Sequence, residues 1–125
     1  MDIIGPLQLR VMHFIWKHGP ATVHAVHSHL NAQPDSPTLA YTTILTVMRN
    51  LAKRGVLDQQ PIGRSHRFAP LIDERTYQFD VLRQVRADLF KGDAALLITC
   101  LTEDPEIDRD LRGRVAEAVK QTGGA

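Results

Sequence analysis

The sequence predicts a mainly α-helical fold with one small β-hairpin, built as two successive parts. Three observations carry this reading. Three amphipathic segments with helix punctuation fill the first 54 residues. Two short extended runs then flank a glycine turn at residues 63–65, and three more apolar stripes at helical spacing follow Ile72. At 125 residues the chain has room for one domain, or for one small domain with a helical appendage. The parts divide into residues 1–72 and 73–125.

The first helix is predicted over Pro6–His18. Proline suits a first helical position, and Gly19 suits the stop. Leu9, Met12, Ile15 and Trp16 make its core-facing stripe. At that spacing Trp16 reads as core rather than as a binding aromatic. The second helix follows Thr22, a plausible N-cap, and runs to about Asn31 with Val23, Val26 and Leu30 facing inward. His24, His27 and His29 lie on it. Two of them could share a metal, but no carboxylate or cysteine lies close in sequence to complete a site. They are expected to face solvent or to touch an anion weakly, and neither a metal nor another cofactor is expected. The stretch "NAQPDSPT" reads as a loop.

The third helix lies within "LAYTTILTVMRNLAKRGVL", residues 39–57. At about 100° per residue, Ile44, Val47, Met48 and Leu51 share one face. Thr42, Thr43, Thr46, Arg49, Asn50 and Lys53 line the other side. Threonine costs a few tenths of a kcal/mol in a helix relative to alanine. A solvated face gains nothing from that cost. A face pressed into a DNA major groove does, because the hydroxyl meets base edges or phosphate and the methyl meets thymine. Gly55 closes the helix after Lys53 and Arg54.

Extended runs at Leu57–Ile62 and His66–Ala69 then flank Gly63-Arg64-Ser65, a hairpin with Arg64 at its tip and Arg67 beside it. Pro61 removes a ladder donor and so belongs on an edge strand. Three short helices and a basic-tipped hairpin, in that order, are the winged helix-turn-helix arrangement. The expected class is therefore a winged helix-turn-helix DNA-binding domain followed by a C-terminal helical dimerisation domain. Charge agrees with it. The whole chain carries only +1, yet Lys and Arg outnumber Asp and Glu seven to three through Ile72, and the balance reverses to eight against eleven afterwards.

The second part supplies apolar stripes. A helix over about Asp73–Phe90 aligns Leu82, Val85 and Leu89, with Phe79 and Phe90 flanking. Asp93 caps the short helix "AALLITCL", and Asp104-Pro105 is predicted to start the last helix as N-cap and first residue. There Ile107, Leu111, Val115, Ala118 and Val119 form one stripe. Some fifty residues in three helices cannot build a good core alone, so a two-fold partner is expected to cover the stripes. Cys100, the single cysteine, reads as buried filler among apolar neighbours. Gly113 inside the last helix costs about 1 kcal/mol against alanine without an evident reason.

Several function classes are excluded. Ser28 beside His27 and His29, and Ser65 beside His66, are sequence neighbours, which is not how a nucleophile and its base are presented. No paired carboxylates or glycine-rich phosphate loop occur, so no enzyme is expected. The apolar runs fall short of the roughly 20 residues that span a bilayer, and "MDIIGPLQLR" lacks a signal-peptide pattern. A cytoplasmic location is expected. The competing reading is a winged helix that responds to a ligand or metal, or that docks a protein.

"GPLQLRVMHFIWKHGPATVHAVHSHL", "LAYTTILTVMRNLAKRGVL" and "GRSHRFAPLI" resemble the penicillinase-repressor family of bacterial winged-helix repressors. The resemblance implies a homodimer on a palindromic operator, with TACA/TGTA half-sites, repressing antibiotic-resistance or stress genes. It also implies release by cleavage when a membrane metalloprotease sensor signals. Tyr41, Thr42, Thr43, Thr46 and Arg49 match the family's reading positions, and Arg64 its wing position. Ala25 stands where an acidic residue is usual, and Asn50 where arginine is common. Thr99-Cys100 stands where cleaved members carry an Asn-Phe pair, and one cysteine cannot supply the cysteine-pair tail of the copper-responsive branch.

Overall fold

A computed structural model describes residues 4–123. In chain order the elements are α1 (Pro6–His18), β1 (Ala21–Thr22), α2 (Val23–Asn31), α3 (Tyr41–Lys53), β2 (Leu57–Ile62), β3 (Ser65–Pro70), α4 (Glu74–Asp88), α5 (Ala94–Glu103) and α6 (Arg109–Gly123). They form two compact units, one through Gln78 and one from Phe79 on. The division falls inside α4, six residues beyond Ile72. The first turn of α4 joins the front unit because Tyr77 is buried there, its hydroxyl accepting from the Ile4 amide at 2.9 Å.

The front unit closes around one apolar core. Val11, Met12 and Ile15 of α1 are fully buried, with Val26 and Leu30 of α2 and Ile44, Met48 and Leu51 of α3. The α1 stripe is thus centred on Val11, Met12 and Ile15, while Leu9 and Trp16 flank it half-buried. Trp16 still belongs to the packing: its indole N–H donates to the Ile72 carbonyl at 3.0 Å, and its ring lies 5.5 Å from that of Tyr77. Thr22 caps α2 as predicted, accepting from the Ala25 amide at 3.1 Å. The end of α3 is a Schellman turn. Gly55 sits at φ +77°, the Val56 amide reaches the Leu51 carbonyl, and the Gly55 amide reaches that of Ala52. Leu51 and Val56 are both buried under the turn.

The sheet has three antiparallel strands in the order β1-β3-β2. Pro61 therefore lies on an edge strand, as its missing amide requires. Two details depart from the prediction. Strand β1 is additional: two residues long, it is too short to show a period-2 pattern. Ser65 belongs to β3, opposite Ile62, so the hairpin loop is only Gly63-Arg64. Gly63 alone of the two has positive φ, at +57°, which is the pattern of a type II′ turn. Phe68 of β3 is fully buried and ties the hairpin to the core.

The second unit differs in kind. Asp93 caps α5, accepting from the Leu96 amide at 3.0 Å. The last helix does not start at Asp104-Pro105. Asp104 instead folds residues 104–107 into a turn, its side chain accepting from the Glu106 amide and its carbonyl from the Ile107 amide. Asp108 then caps α6, accepting from Leu111 at 3.1 Å. A local Asx turn outcompeted the helix start, as aspartate side chains allow, and Ile107 lies outside α6. Cys100 is exposed, not buried. The cause is general: no described residue from Phe79 on is buried. Leu82, Leu89, Leu96, Leu101 and Leu111 all stand open to solvent.

Candidate nucleic-acid interface

Helix α3 presents the predicted polar face. Thr42, Thr46, Arg49, Asn50 and Lys53 are all exposed and fall within about 100° of one another around the axis, with Thr43 at the edge. The opposite face carries the buried Ile44, Val47, Met48 and Leu51, so core packing fixes which way the threonines point. Tyr41 is not on that stripe. It stands at the helix start, 46% exposed, with its ring edge-on to His27 at 5.7 Å.

The wing adds a second basic element. Arg64 is exposed at the tip of the loop, and Arg67 is exposed on β3 opposite Gln60 and Thr22. No ion pair among the described residues engages Arg49, Lys53, Arg64 or Arg67. Their charge is therefore uncompensated locally. Such a face can donate to phosphate oxygens and, through threonine, asparagine and arginine, to base edges.

The three histidines of α2 separate. His24 is exposed. His29 stacks with Phe14 at 4.7 Å and lies 5.8 Å from His18. His27 is not solvent-facing: it is half-buried, with Nε2 2.9 Å from the Leu39 carbonyl oxygen. No group of three or more His, Cys, Asp or Glu among the described residues could hold a metal. The sequence reading missed the residues that hold the loop before α3. Asn31 bonds to both backbone groups of Leu39, and Arg10 donates to Gln33 and Ser36 at 2.7 Å each. Such side-chain bonds, 8 to 26 residues apart, leave no periodic trace in a sequence.

Comparison with known proteins places this arrangement. The penicillinase repressor family profile matches residues 4–121. The chain belongs to the penicillinase repressor family. Family relatives include the transcriptional regulator BlaI of Mycobacterium tuberculosis, 42% identical over 69 residues, a match covering 54% of this chain and 48% of that protein. The penicillinase repressor of Bacillus licheniformis is 34% identical over 74 residues, covering 59% of this chain and 56% of that one. The chain thus matches about half the length of these curated relatives. Among solved structures, the monomeric form of Bacillus licheniformis BlaI in complex with the blaP half-operator is similar, with TM-score 0.50 and 33% identity over 61% of this chain and 89% of that one. The DNA-binding domain of the repressor BlaI gives TM-score 0.51 and 34% identity over 59% of this chain and 87% of that one. The winged helix is therefore shared with family members, whose names describe repressors rather than enzymes. No helix among the described residues is long and apolar enough to cross a membrane.

Proposed function

We propose that this family member is a homodimeric transcriptional repressor that reads a palindromic operator with α3 and grips its backbone with the wing. The observation that carries the DNA-binding half is the α3 face: threonines, an amide and two cations aligned opposite a buried stripe, with no carboxylate among the described residues paired to the cations. The half-operator complex of the Bacillus licheniformis relative supports it. Thr42, Thr43, Thr46, Arg49 and Asn50 read base edges. Tyr41, Lys53, Arg64 and Arg67 contact the sugar-phosphate backbone or minor groove.

The dimer rests on the second unit. Phe79, Leu82, Leu89 and Leu111 are exposed, Val85, Ile107, Val115 and Val119 are half-buried, and nothing described from Phe79 on is buried. An open apolar hollow between α4 and α5, of about 190 Å³, is lined by Phe79, Leu82, Leu97 and Ile98. Helices so poor in buried surface are stabilised by a second copy, and two-fold pairing is the simplest closure. The dimer then sets two reading helices at a fixed spacing, which is what a palindrome demands. Residues 1–72 serve as the DNA-binding part and 73–125 as the dimerisation part.

Release follows from the same design. Thr99 and Cys100 are exposed on α5. A cut there, on the signal of a membrane metalloprotease sensor, removes α6 and weakens the dimer without touching α3. Genes for antibiotic resistance or stress are the expected targets, and the location is cytoplasmic. The test is fluorescence anisotropy on an inverted TACA/TGTA duplex and on random DNA at several salt concentrations. Specific binding with a steep salt dependence is expected. Binding that ignores sequence, or no binding, would favour a winged helix used for protein or ligand docking.

A further inference from the structure

The start of α3 is unusual. Its N-cap residue is Ala40, whose side chain can make no cap bond, and none is present. A helix start without a cap frays. One residue earlier, however, Leu39 is held at both of its backbone groups. Its amide donates to Asn31 Oδ1 at 2.8 Å, and its carbonyl accepts from Asn31 Nδ2 at 3.0 Å. Asn31 thus pairs with Leu39 as a neighbouring strand would, although eight residues separate them.

His27 completes the clasp from one helical turn before Asn31. Its Nε2 lies 2.9 Å from the same carbonyl oxygen and 2.8 Å from Asn31 Nδ2. A carbonyl oxygen has two lone pairs. The Asn31 amide nitrogen supplies one donor, and the imidazole makes one further bond set by its tautomer: the Nε2–H form donates to this oxygen, and the Nδ1–H form accepts from Asn31 Nδ2 instead. The same imidazole ring meets the Tyr41 ring edge-on at 5.7 Å and an interplanar angle of 69°. His27 and Asn31 both project from α2, whose other face is locked into the core by Val26 and Leu30.

We infer that His27 and Asn31 are positioning residues that set the entry, and hence the axial register, of the reading helix, and that specificity for operator over random DNA depends on them. The inference rests on the proposed role of α3 as reader. Base contacts need side chains placed to within a fraction of an ångström, whereas phosphate contacts tolerate small displacements. The clasp therefore governs discrimination more than total affinity. It fixes where α3 begins without meeting the amides of its first turn, and it ties the register to the second helix of the motif instead of to the loop.

The experiment compares full-length wild type with Asn31→Ala, Asn31→Asp and His27→Phe. Asn31→Asp keeps the acceptor for the Leu39 amide but loses the donor, and His27→Phe keeps a ring against Tyr41 but loses the nitrogen that bonds to the clasp. Affinity for an inverted TACA/TGTA duplex and for random DNA is read alongside the unfolding midpoint and amide exchange at Leu39. For Asn31→Ala, operator affinity should fall at least about tenfold, the scale of one polar group left unpaired, while random-DNA affinity holds. Exchange at Leu39 should accelerate while amides of the α1 core stay protected. The two partial variants should fall between wild type and Asn31→Ala in discrimination. Equal losses on both DNAs that track the unfolding midpoint would reduce the clasp to a structural contact and overturn the inference. Unchanged operator affinity would also overturn it, leaving the reading role of α3 intact. A wild type unable to tell operator from random DNA would remove that reading role, and the clasp's function with it.

Discussion

Threonine at 42, 43 and 46 is the residue-scale feature that gives the molecule away. Each costs α3 a few tenths of a kcal/mol relative to alanine, and each is exposed, so packing does not explain them. The proposed contact with bases would. Thr43→Ala and Thr46→Ala should keep the fold and lose operator affinity, and Arg49→Ala should lose more, each within the roughly 1–3 kcal/mol of a base contact. Anisotropy titrations at fixed salt measure this, and wild-type affinity in all three would leave the threonines without a role. Gly113 is the contrary case. It lies on the side of α6 facing away from Leu111 and Val115, beside Arg109, Asp110 and Glu117, and a β-carbon there would meet nothing within 4 Å. Gly113→Ala should therefore stabilise α6 by about 1 kcal/mol, raising the unfolding midpoint. A drop would mean that something approaches that face closely. Nothing in the structure explains the glycine.

At the scale of elements, the helices were legible wherever one residue did one job. Proline at N1 and Thr22 and Asp93 as caps gave α1, α2 and α5 their starts, because caps are local chemistry written in adjacent residues. Asp104 misled because aspartate closes a turn as readily as it caps a helix, and Asp108, four residues on, was an equally good cap. The clasp on Leu39 could not be read at all, since only the folded chain brings Asn31 to it. The wing was legible through Gly63, whose positive φ the tight turn requires. Arg64 at its tip should hold phosphate or the minor groove. Arg64→Ala should then weaken operator and random DNA alike and lower the salt slope by about one. A loss confined to the operator would show instead that Arg64 reads bases. Asp73, before α4, has its own signature. Hydrogen bonds from the Thr76 hydroxyl and amide hold its carboxyl below its ordinary value of 3.8. A lowered carboxyl stabilises the fold fully above its unfolded value and less as the pH falls through its folded one. Fraying at the start of α4 is therefore expected only below pH 3.8, observable as loss of helical signal there that Asp73→Asn removes.

The whole molecule joins a front unit with a closed core to a rear unit in which no described residue is buried. That contrast was half visible in the sequence. Apolar stripes at Leu82, Val85 and Leu89 and at Leu111, Val115 and Val119 announced faces in need of cover, and their spacing could not say whether the same chain supplied it. The single chain leaves the leucines of these stripes open and their valines half-buried, and Cys100 is exposed with them, which is why a residue expected in a core stands in solvent. One winged helix makes few phosphate contacts and little base discrimination, so useful affinity requires two held together. Loss of the rear helices should then release DNA while the front unit stays folded. A chain ending at Phe90 should run as a monomer and bind the full operator at least tenfold more weakly, a loss of about 1.4 kcal/mol or more. The most direct measurement is analytical ultracentrifugation of the intact chain, free and mixed with a palindromic TACA/TGTA duplex or with its half-site. A dimer at micromolar concentration, two chains per palindrome, and far weaker binding to the half-site are the expected results. A monomer that binds palindrome and half-site equally well, one chain per site, would contradict the account.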